Sequence, residues 1–366
     1  MVMDAFLNAI GTGVPDHDIH AAFVDAVPGL LPGDKERKAF GKLAERSGIE
    51  HRYSSIEPVS PEEMAERYCR DGFYRPGAFP TTGTRMRRFE QDSPALADRA
   101  LADLSARLGH NAAEGVTHLV ITSCTGFVAP GLDGHLIAKH GLDSRVERTL
   151  IGFMGCNAAM NGFKTARHIV RSEPEARVLT LNIELCTLHL QEITPDTPLN
   201  TALMFLLFAD GAAASIVSAE PTGLRLDGFA SDIAPETEDK ITWNIGDDGF
   251  DMWLSGQVPR IIARTVPGHV AGLKARIEGG EVGLWAVHPG GRTILDAVAS
   301  GLDLPEADLA TSRSVLRDYG NMSSATLSFV LKRMLEAPQS GRAGIAIGFG
   351  PGLSIESMIF RESATG

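Results

Sequence analysis

Runs of uninterrupted apolar residues alternate along this chain with stretches whose apolar positions recur three and four residues apart. The first strand-like segment is Ala5 to Gly11, and residues 35–50 follow as a basic amphipathic helix. A further helix is predicted after Ser60, with Ser60 as cap and Pro61, Glu62 and Glu63 in its first turn. The stretch 73–93, rich in Gly, Pro, Thr and Arg, has no period and reads as an irregular surface crossing. A helix over 93–109 starts at Ser93 and Pro94. The pattern then becomes regular. His118 to Ser123 is a strand, Leu132 to His140 a helix, Leu150 to Phe153 a strand, 157–171 a helix and Val178 to Ile183 a strand. Phe208 to Val217 reads as a strand broken by Asp210 and Gly211. In the last third, Gly283 to Val287 is a strand, 292–299 opens a helix, and Asn321 begins a helix that reaches Ala337. Ala343 to Ile347 is a strand running into the glycine-rich loop 348–352, and Ser354 to Phe360 is a final strand. Strands that are apolar at nearly every position are covered on both faces, which predicts an α/β layered fold.

Two regions share one order of elements. The strand at 118–123 lies about 35 residues before the helix near Cys156, and the strand at 283–287 about 35 residues before the helix near Asn321. Each helix is followed about 22 residues on by an apolar strand. Two related halves, 1–220 and 221–366, are expected, although α/β units recur at similar spacing in unduplicated chains as well.

Composition narrows the chemistry. The chain has 366 residues, 43% hydrophobic and 22% charged, which is ordinary for a globular protein and too apolar for a disordered one. The formal charge of −12 argues against nucleic acid or an anionic membrane as the main partner. It leaves room for a small anionic ligand, because Lys35, Arg37, Lys38, Lys42 and Arg46 cluster on one predicted helix. The N-terminus carries no basic leader followed by an apolar stretch, and the longest apolar run, Ala202 to Ala209, is too short to span a bilayer. A cytoplasmic protein without membrane insertion is expected. The four cysteines, Cys69, Cys124, Cys156 and Cys186, fit neither a zinc knuckle nor a CxxC redox pair, so no metal is expected.

One cysteine has a distinctive setting. Cys156 stands in IGFMGCNAAMNG, between an apolar strand and a helix of small residues, where the helix dipole and free amides favour a thiolate. A core cysteine beside a tight turn would look the same. His288 ends the strand in WAVHPGGR, and Asn321 lies at a helix start in DYGNMSSA. Taken singly, these are compatible with a hydrogen-bonded core histidine and a simple helix cap. Taken together they sit at comparable ends of two halves, and such ends converge on one crevice in layered α/β folds. An imidazolium beside a thiolate would make a nucleophile for acyl transfer. A neutral imidazole N–H and an Asn amide could donate to an enolate oxygen.

With GCNAAMNG around Cys156, VHPGG around His288, YGNMSSATL around Asn321 and GFGPGLS at 348–354, in this order, the chain closely resembles the type III polyketide synthases, the chalcone-synthase-like enzymes. It looks like a bacterial member, and the resemblance runs from about residue 5 to residue 361. The resemblance implies a duplicated thiolase-like fold with alternating α-β-α-β-α layers, and a homodimer. It implies Cys156 as acyl carrier, and His288 and Asn321 as promoters of malonyl decarboxylation. Residues Gly348, Phe349, Gly350, Pro351 and Gly352 would shape the cavity in which the chain folds. Phe208, Asp210 and Gly211 match a segment read as structural. Lys42 and Arg46 fall at two positions that usually contact coenzyme A phosphate, while a third is Ala39 here. The two gate phenylalanines of plant relatives align with Leu190 and Met252, and Cys124 and Cys186 would line the starter or elongation cavity. Loss of aromatic walls favours an aliphatic acyl starter, with malonyl-CoA as its own starter the other option.

The implied activity is loading of an acyl-CoA on Cys156, repeated decarboxylative condensation with malonyl-CoA, and cyclisation to an alkylpyrone, alkylresorcinol or related phenolic product. No cofactor is implied, since CoA is part of the substrates. The alternatives are a ketoacyl synthase III-like enzyme making one condensation, and a non-catalytic acyl-CoA-binding protein.

Overall fold

The structure, a computed structural model, describes residues 3–60, 63–64, 66–194, 197, 199–337 and 341–363. The helix start expected at Pro61 and Glu62 lies outside the described residues. In chain order the strands are β1 (Phe6–Gly13), β2 (His17–Asp18), β3 (Tyr53–Ser54), β4 (His118–Ser123), β5 (Glu147–Gly152), β6 (Val178–Leu185) and β7 (Asp210–Ser218). They continue as β8 (Leu224–Ile233), β9 (Ile241–Gly246), β10 (Gly249–Leu254), β11 (Leu284–Val287), β12 (Ala343–Gly350) and β13 (Ser354–Glu362). The α-helices are α1 (His20–Leu30), α2 (Asp34–Ser47), α3 (Thr82–Leu108), α4 (Leu132–His140) and α5 (Ala158–Ser172). After these come α6 (Leu199–Leu207), α7 (Val258–Lys274), α8 (Arg292–Leu302), α9 (Ala310–Tyr319) and α10 (Ala325–Glu336).

Nine strands hydrogen-bond in the order β11-β12-β13-β8-β1-β7-β6-β4-β5. From the central β1/β8 pair outward, each side repeats one pattern. β7 and β13 are antiparallel to their inner neighbours, β6 and β12 antiparallel to those, and β4 and β11 parallel to β6 and β12. Strands β4, β6 and β12 are buried at every position, as expected of strands covered on both faces. Between the two wings of the sheet lie α5 and α10, whose Ala159, Phe163, Ala325 and Leu331 share one core with Val120, Val217, Leu284 and Ala346. The outer face of one wing is covered by α3 and α4, and that of the other by α7 and α8. The layers therefore alternate α-β-α-β-α.

Several boundaries differ from expectation. Helix α3 starts at Thr82, eleven residues before Ser93, and Pro94 lies inside it. Pro94 deletes one intrahelical hydrogen bond, at about 3 kcal/mol. The helix nevertheless buries Phe89, Leu96, Leu101 and Leu104 on one stripe, at about 1.5–3 kcal/mol for each such side chain. The stripe outweighs the proline, and the region from Thr82 onward is not an irregular crossing. Strand β7 begins at Asp210, so Asp210 and Gly211 open the strand and Phe208 precedes it. The segment 348–352 is only partly a loop: β12 extends to Gly350, pairing with Ser354, and a 3-10 turn covers Pro351–Leu353. Helix α10 begins at Ala325, so Asn321 precedes it in a separate turn and is not its cap.

Candidate active site

Cys156 stands in a 3-10 turn, Gly155–Asn157, that feeds directly into α5. The chain reaches it from β5 through Phe153 at φ 56° and Gly155 at φ 79°. A Cβ at Gly155 would come within 2.2 Å of Pro351 Cδ, so only glycine fits beneath the 351–353 turn. His288 follows β11, and its N–H donates to Ile347 O at 2.8 Å. Asn321 is held by its backbone: its N–H donates to Leu207 O at 2.8 Å, and its carbonyl accepts from Ala209 N–H at 2.9 Å. Its Oδ1 accepts from the N–H of Ser323 at 2.9 Å, which turns Nδ2 towards Gly290 O at 3.3 Å.

These three side chains line one cavity. The same cavity is lined by Cys124, Cys186, Met252, Phe349, Gly350 and Pro351. Leu190 instead faces an adjoining apolar chamber, which shares Cys186, Phe205 and Phe208 with the first. The aromatic side chains on the wall between the two are Phe205 and Phe208, the latter a residue the sequence pattern assigned to structure alone. Gly348 packs against Asn157, where a Cβ would sit 3.0 Å from the Asn157 Cβ, and Gly352 turns at φ 64° with nothing near it, so neither lines the cavity. Lys42 and Arg46 are exposed one turn apart on α2. Arg46 borders a groove with Leu207, Gly291, Arg292 and Thr293 at the start of α8. Gly290 faces the cavity and Gly291 the groove, so one short segment connects the two.

Burial works against the expected thiolate–imidazolium pair. Burial pushes the Cys156 thiol up to about 11, against the pull of hydrogen bonds from Ser323 and Asn321 and with a push from the Glu184 carboxylate. Burial alone holds the His288 imidazole down to about 3. Both ring nitrogens of His288 are buried without a hydrogen-bond partner. Desolvation disfavours both charged forms and so works against the pull of the helix start on the thiolate.

Two residues passed over in the sequence complete the site. Glu184 is fully buried on β6, and burial lifts its carboxyl to about 7 despite hydrogen bonds from Ser324, Cys124 N–H and Thr125. Its Oε2 accepts from Cys124 N–H at 3.0 Å and Thr125 Oγ1 at 2.8 Å, and its Oε1 from Ser324 Oγ at 2.5 Å. A lone acid in the strand-like run VLTLNIEL was the available signal. His189 is stacked on Phe250 at 4.1 Å. Its Nε2 donates to Thr125 O at 2.7 Å and its Nδ1 accepts from Phe250 N–H at 3.0 Å. Among the described residues, two groups have metal-like ligand sets, Asp98 with His135 and His140, and His118 with Glu147 and Glu173. None of them lines the cavity. Asp98 already takes its cation from within: burial opposes it, yet hydrogen bonds from Lys139, His140 and His135 hold its carboxyl down to about 2.

The comparisons agree with this geometry. The family model described as chalcone and stilbene synthases, N-terminal domain, matches residues 3–221, and its C-terminal counterpart matches 226–364. The chain is 31% identical over 369 residues to the alpha-pyrone synthesis polyketide synthase-like Pks18 of Mycobacterium tuberculosis, covering 97% of this chain and 91% of that one. It is 31% identical over 344 residues to bisdemethoxycurcumin synthase of Oryza sativa, covering 89% and 83%. Its fold matches the crystal structure of PKS-I from the brown alga Ectocarpus siliculosus with a TM-score of 0.84 at 29% identity, covering 99% of both chains. It also matches the type III polyketide synthase domain of Steely1 from Dictyostelium with a TM-score of 0.87 at 23% identity, covering 99% of this chain and 100% of that one. The thiolase-like layers, the cavity and both halves of the family model lead to one conclusion: the chain belongs to the chalcone-synthase-like type III polyketide synthases, acyltransferases that condense CoA thioesters.

Proposed function

We propose that this enzyme loads an aliphatic acyl-CoA on Cys156, extends it with malonyl-CoA and releases an alkylpyrone, alkylresorcinol or related cyclic product. The observation that carries the residue roles is the cavity shared by Cys156, His288 and Asn321, into which His288 brings a ring with two unpartnered nitrogens. In the loading step the Cys156 sulfur attacks the thioester carbonyl, His288 takes the thiol proton, and CoA leaves as a thiol with that proton. In extension, malonyl-CoA places its thioester oxygen against the His288 N–H and the Asn321 amide. The bond to the carboxylate breaks, CO₂ leaves, and its electron pair becomes the enolate. The enolate carbon attacks the Cys156 thioester, and the sulfur departs with the electron pair. A neutral imidazole suits this step, because it donates a hydrogen bond without surrendering its proton to the enolate.

The adjoining chamber supports an aliphatic starter. Ala22, Phe23, Val27, Leu30, Ile56 and Ile193 are among its walls, and a tail leaving the Cys156 thioester past Cys186 and Phe208 would enter it. Arg46 and Arg292 would hold CoA phosphates at the groove by the start of α8, where the helix N-terminus also favours an anion, with the exposed Lys42 one turn away on α2. A homodimer is supported by β5, a terminal strand of the sheet with an exposed edge that carries Leu150 at 58% exposure beside the half-exposed Met154. We place the division between two related halves at 220/221, and the protein in the cytoplasm, where its four cysteines stay as thiols. Incubation of the purified enzyme with a series of acyl-CoA starters and malonyl-CoA, read by product mass, tests the whole reading. Cyclic products from two or more extensions are expected; a single condensation with every starter would overturn it.

A further inference from the structure

The partition between the catalytic cavity and the starter chamber is held by a residue that takes no part in loading or extension and itself borders the chamber. Phe205 and Phe208 face both spaces. Phe205 is in the last turn of α6 and Phe208 directly follows it. A helix end leaves carbonyls without partners, and here a buried arginine supplies them. Arg52 Nη1 donates to Phe205 O and to Phe208 O, each at 2.7 Å. Leu207 O, between them, is taken by the N–H of Asn321. Segment 205–209 is thus clamped by one guanidinium on one side and by the backbone of Asn321 on the other. Arg52 is itself fixed. Its N–H donates to Asp18 Oδ1 at 3.2 Å, its Nε donates to His20 Nδ1 at 3.0 Å, and its guanidinium lies 4.9 Å from the ring centre of Phe23, another chamber wall. Its stem underlies Gly320, where a Cβ would come within 2.7 Å of Arg52 Cγ.

We infer that Arg52 is a positioning residue that sets where the Phe205–Phe208 partition stands, and so decides which acyl chains pass from the thioester into the chamber. This rests on the starter-chamber reading above. The stem and the guanidinium do separate things: the stem supports the Gly320–Asn321 turn, and the guanidinium holds the partition.

The test uses competitive loading of Cys156 by hexanoyl-CoA and dodecanoyl-CoA, read by intact mass, together with CO₂ release from malonyl-CoA. The wild-type protein is expected to favour the long chain by about tenfold or more, the scale on which apolar pockets discriminate chain length. R52M keeps a stem under Gly320 and removes the donors, so the ratio should fall to within about twofold of unity, with a much smaller change in CO₂ release. R52K, with one flexible donor, should be intermediate, and F208A should flatten the ratio with Arg52 intact. R52A, which removes the stem as well, should lose CO₂ release too. A folded R52M with the wild-type ratio overturns the inference. If R52M does not fold, R52K decides: an intermediate ratio supports the role and a wild-type ratio overturns it. A wild-type protein with no chain-length preference overturns the chamber reading itself, before any variant is made.

Discussion

Glu184→Gln isolates the buried carboxyl that joins the two walls of the site. Glu184 ties the end of β4, through Cys124 N–H and Thr125, to Ser324 beside the Asn321 turn. Burial raises its pKa from an ordinary 4.5 to about 7. The folded protein therefore holds this proton more tightly than the unfolded chain. The resulting stability is fully present below pH 4.5 and is lost as pH rises through about 7. At about 1.36 kcal/mol for each pKa unit, the wild-type fold loses about 2–3 kcal/mol from this group between pH 5 and pH 8. Over 366 residues, with an unfolding entropy of roughly 2.1 cal/mol/K for each residue, that is a fall of about 3 °C in Tm relative to the variant. His288 and His189, held at about 3, and His20, at about 4, act in the opposite sense, losing stability as pH falls below 6.5. They are common to both proteins and cancel in the difference. Gln keeps an acceptor for Cys124 N–H and Thr125, and the Ser324 hydroxyl can rotate to accept from its amide. Scanning calorimetry of both proteins from pH 5 to pH 8 measures the slope, and a Tm difference independent of pH refutes the reasoning. A second readout links it to chemistry. The Glu184 charge pushes the Cys156 thiol up, so the variant should be alkylated faster at Cys156 by iodoacetamide at pH 8. An unchanged rate would show that the charge does not reach the sulfur.

Other variants address single parts of the reading. Cys156→Ala should abolish the acyl-enzyme mass shift, and acylation persisting at Cys124 or Cys186 with product still made would contradict the assignment. His288→Gln and Asn321→Ala should each lower CO₂ release from malonyl-CoA by about 100-fold, the usual loss for one oxyanion donor; normal release in both, measured with labelled malonyl-CoA, would remove their role. Arg46→Glu with Arg292→Glu should raise KM for malonyl-CoA about tenfold with kcat little changed, a loss of uniform binding visible in steady-state kinetics. Leu150→Glu on the exposed edge of β5 should shift a dimer to monomer in analytical ultracentrifugation, and an unchanged assembly would move the interface elsewhere.

What the sequence made legible follows from which features are local. β12 carries no polar side chain and β4 and β6 have apolar residues on both faces, so their burial on two faces could be read without any partner. Cys156, His288 and Asn321 lie where strands or helices begin or end, and such positions are marked by Gly, Pro and Ser neighbours. The first turns of α3 were hidden because Ser93 and Pro94 imitate a helix start, while the stripe through Phe89 that overrides them is recognised only against the sheet. Leu190 and Phe208 exchanged places for a similar reason. Which of two adjoining spaces a side chain faces depends on the turn after β6 and on the end of α6, neither of which has a period to read.

The charge state of the site was also beyond local reading, and it changes the chemistry. A cysteine at a helix start suggests a thiolate when only its neighbours are considered. The fold places that sulfur beside a buried carboxyl, in a cavity walled by Phe208, Met252, Leu254 and Phe349. There, forming the ion pair before substrate arrives would mean desolvating two charges with little to stabilise them. Proton transfer from Cys156 to His288 is better coupled to attack, when the developing thioester oxyanion supplies the missing counter-charge. The same imidazole, once deprotonated again, returns to the neutral donor that decarboxylation needs. A His288 poised as a permanent imidazolium would serve the first step and spoil the second, by protonating the enolate before it could reach the thioester. On the proposed mechanism, the apolar wall would keep one histidine usable in both halves of the cycle.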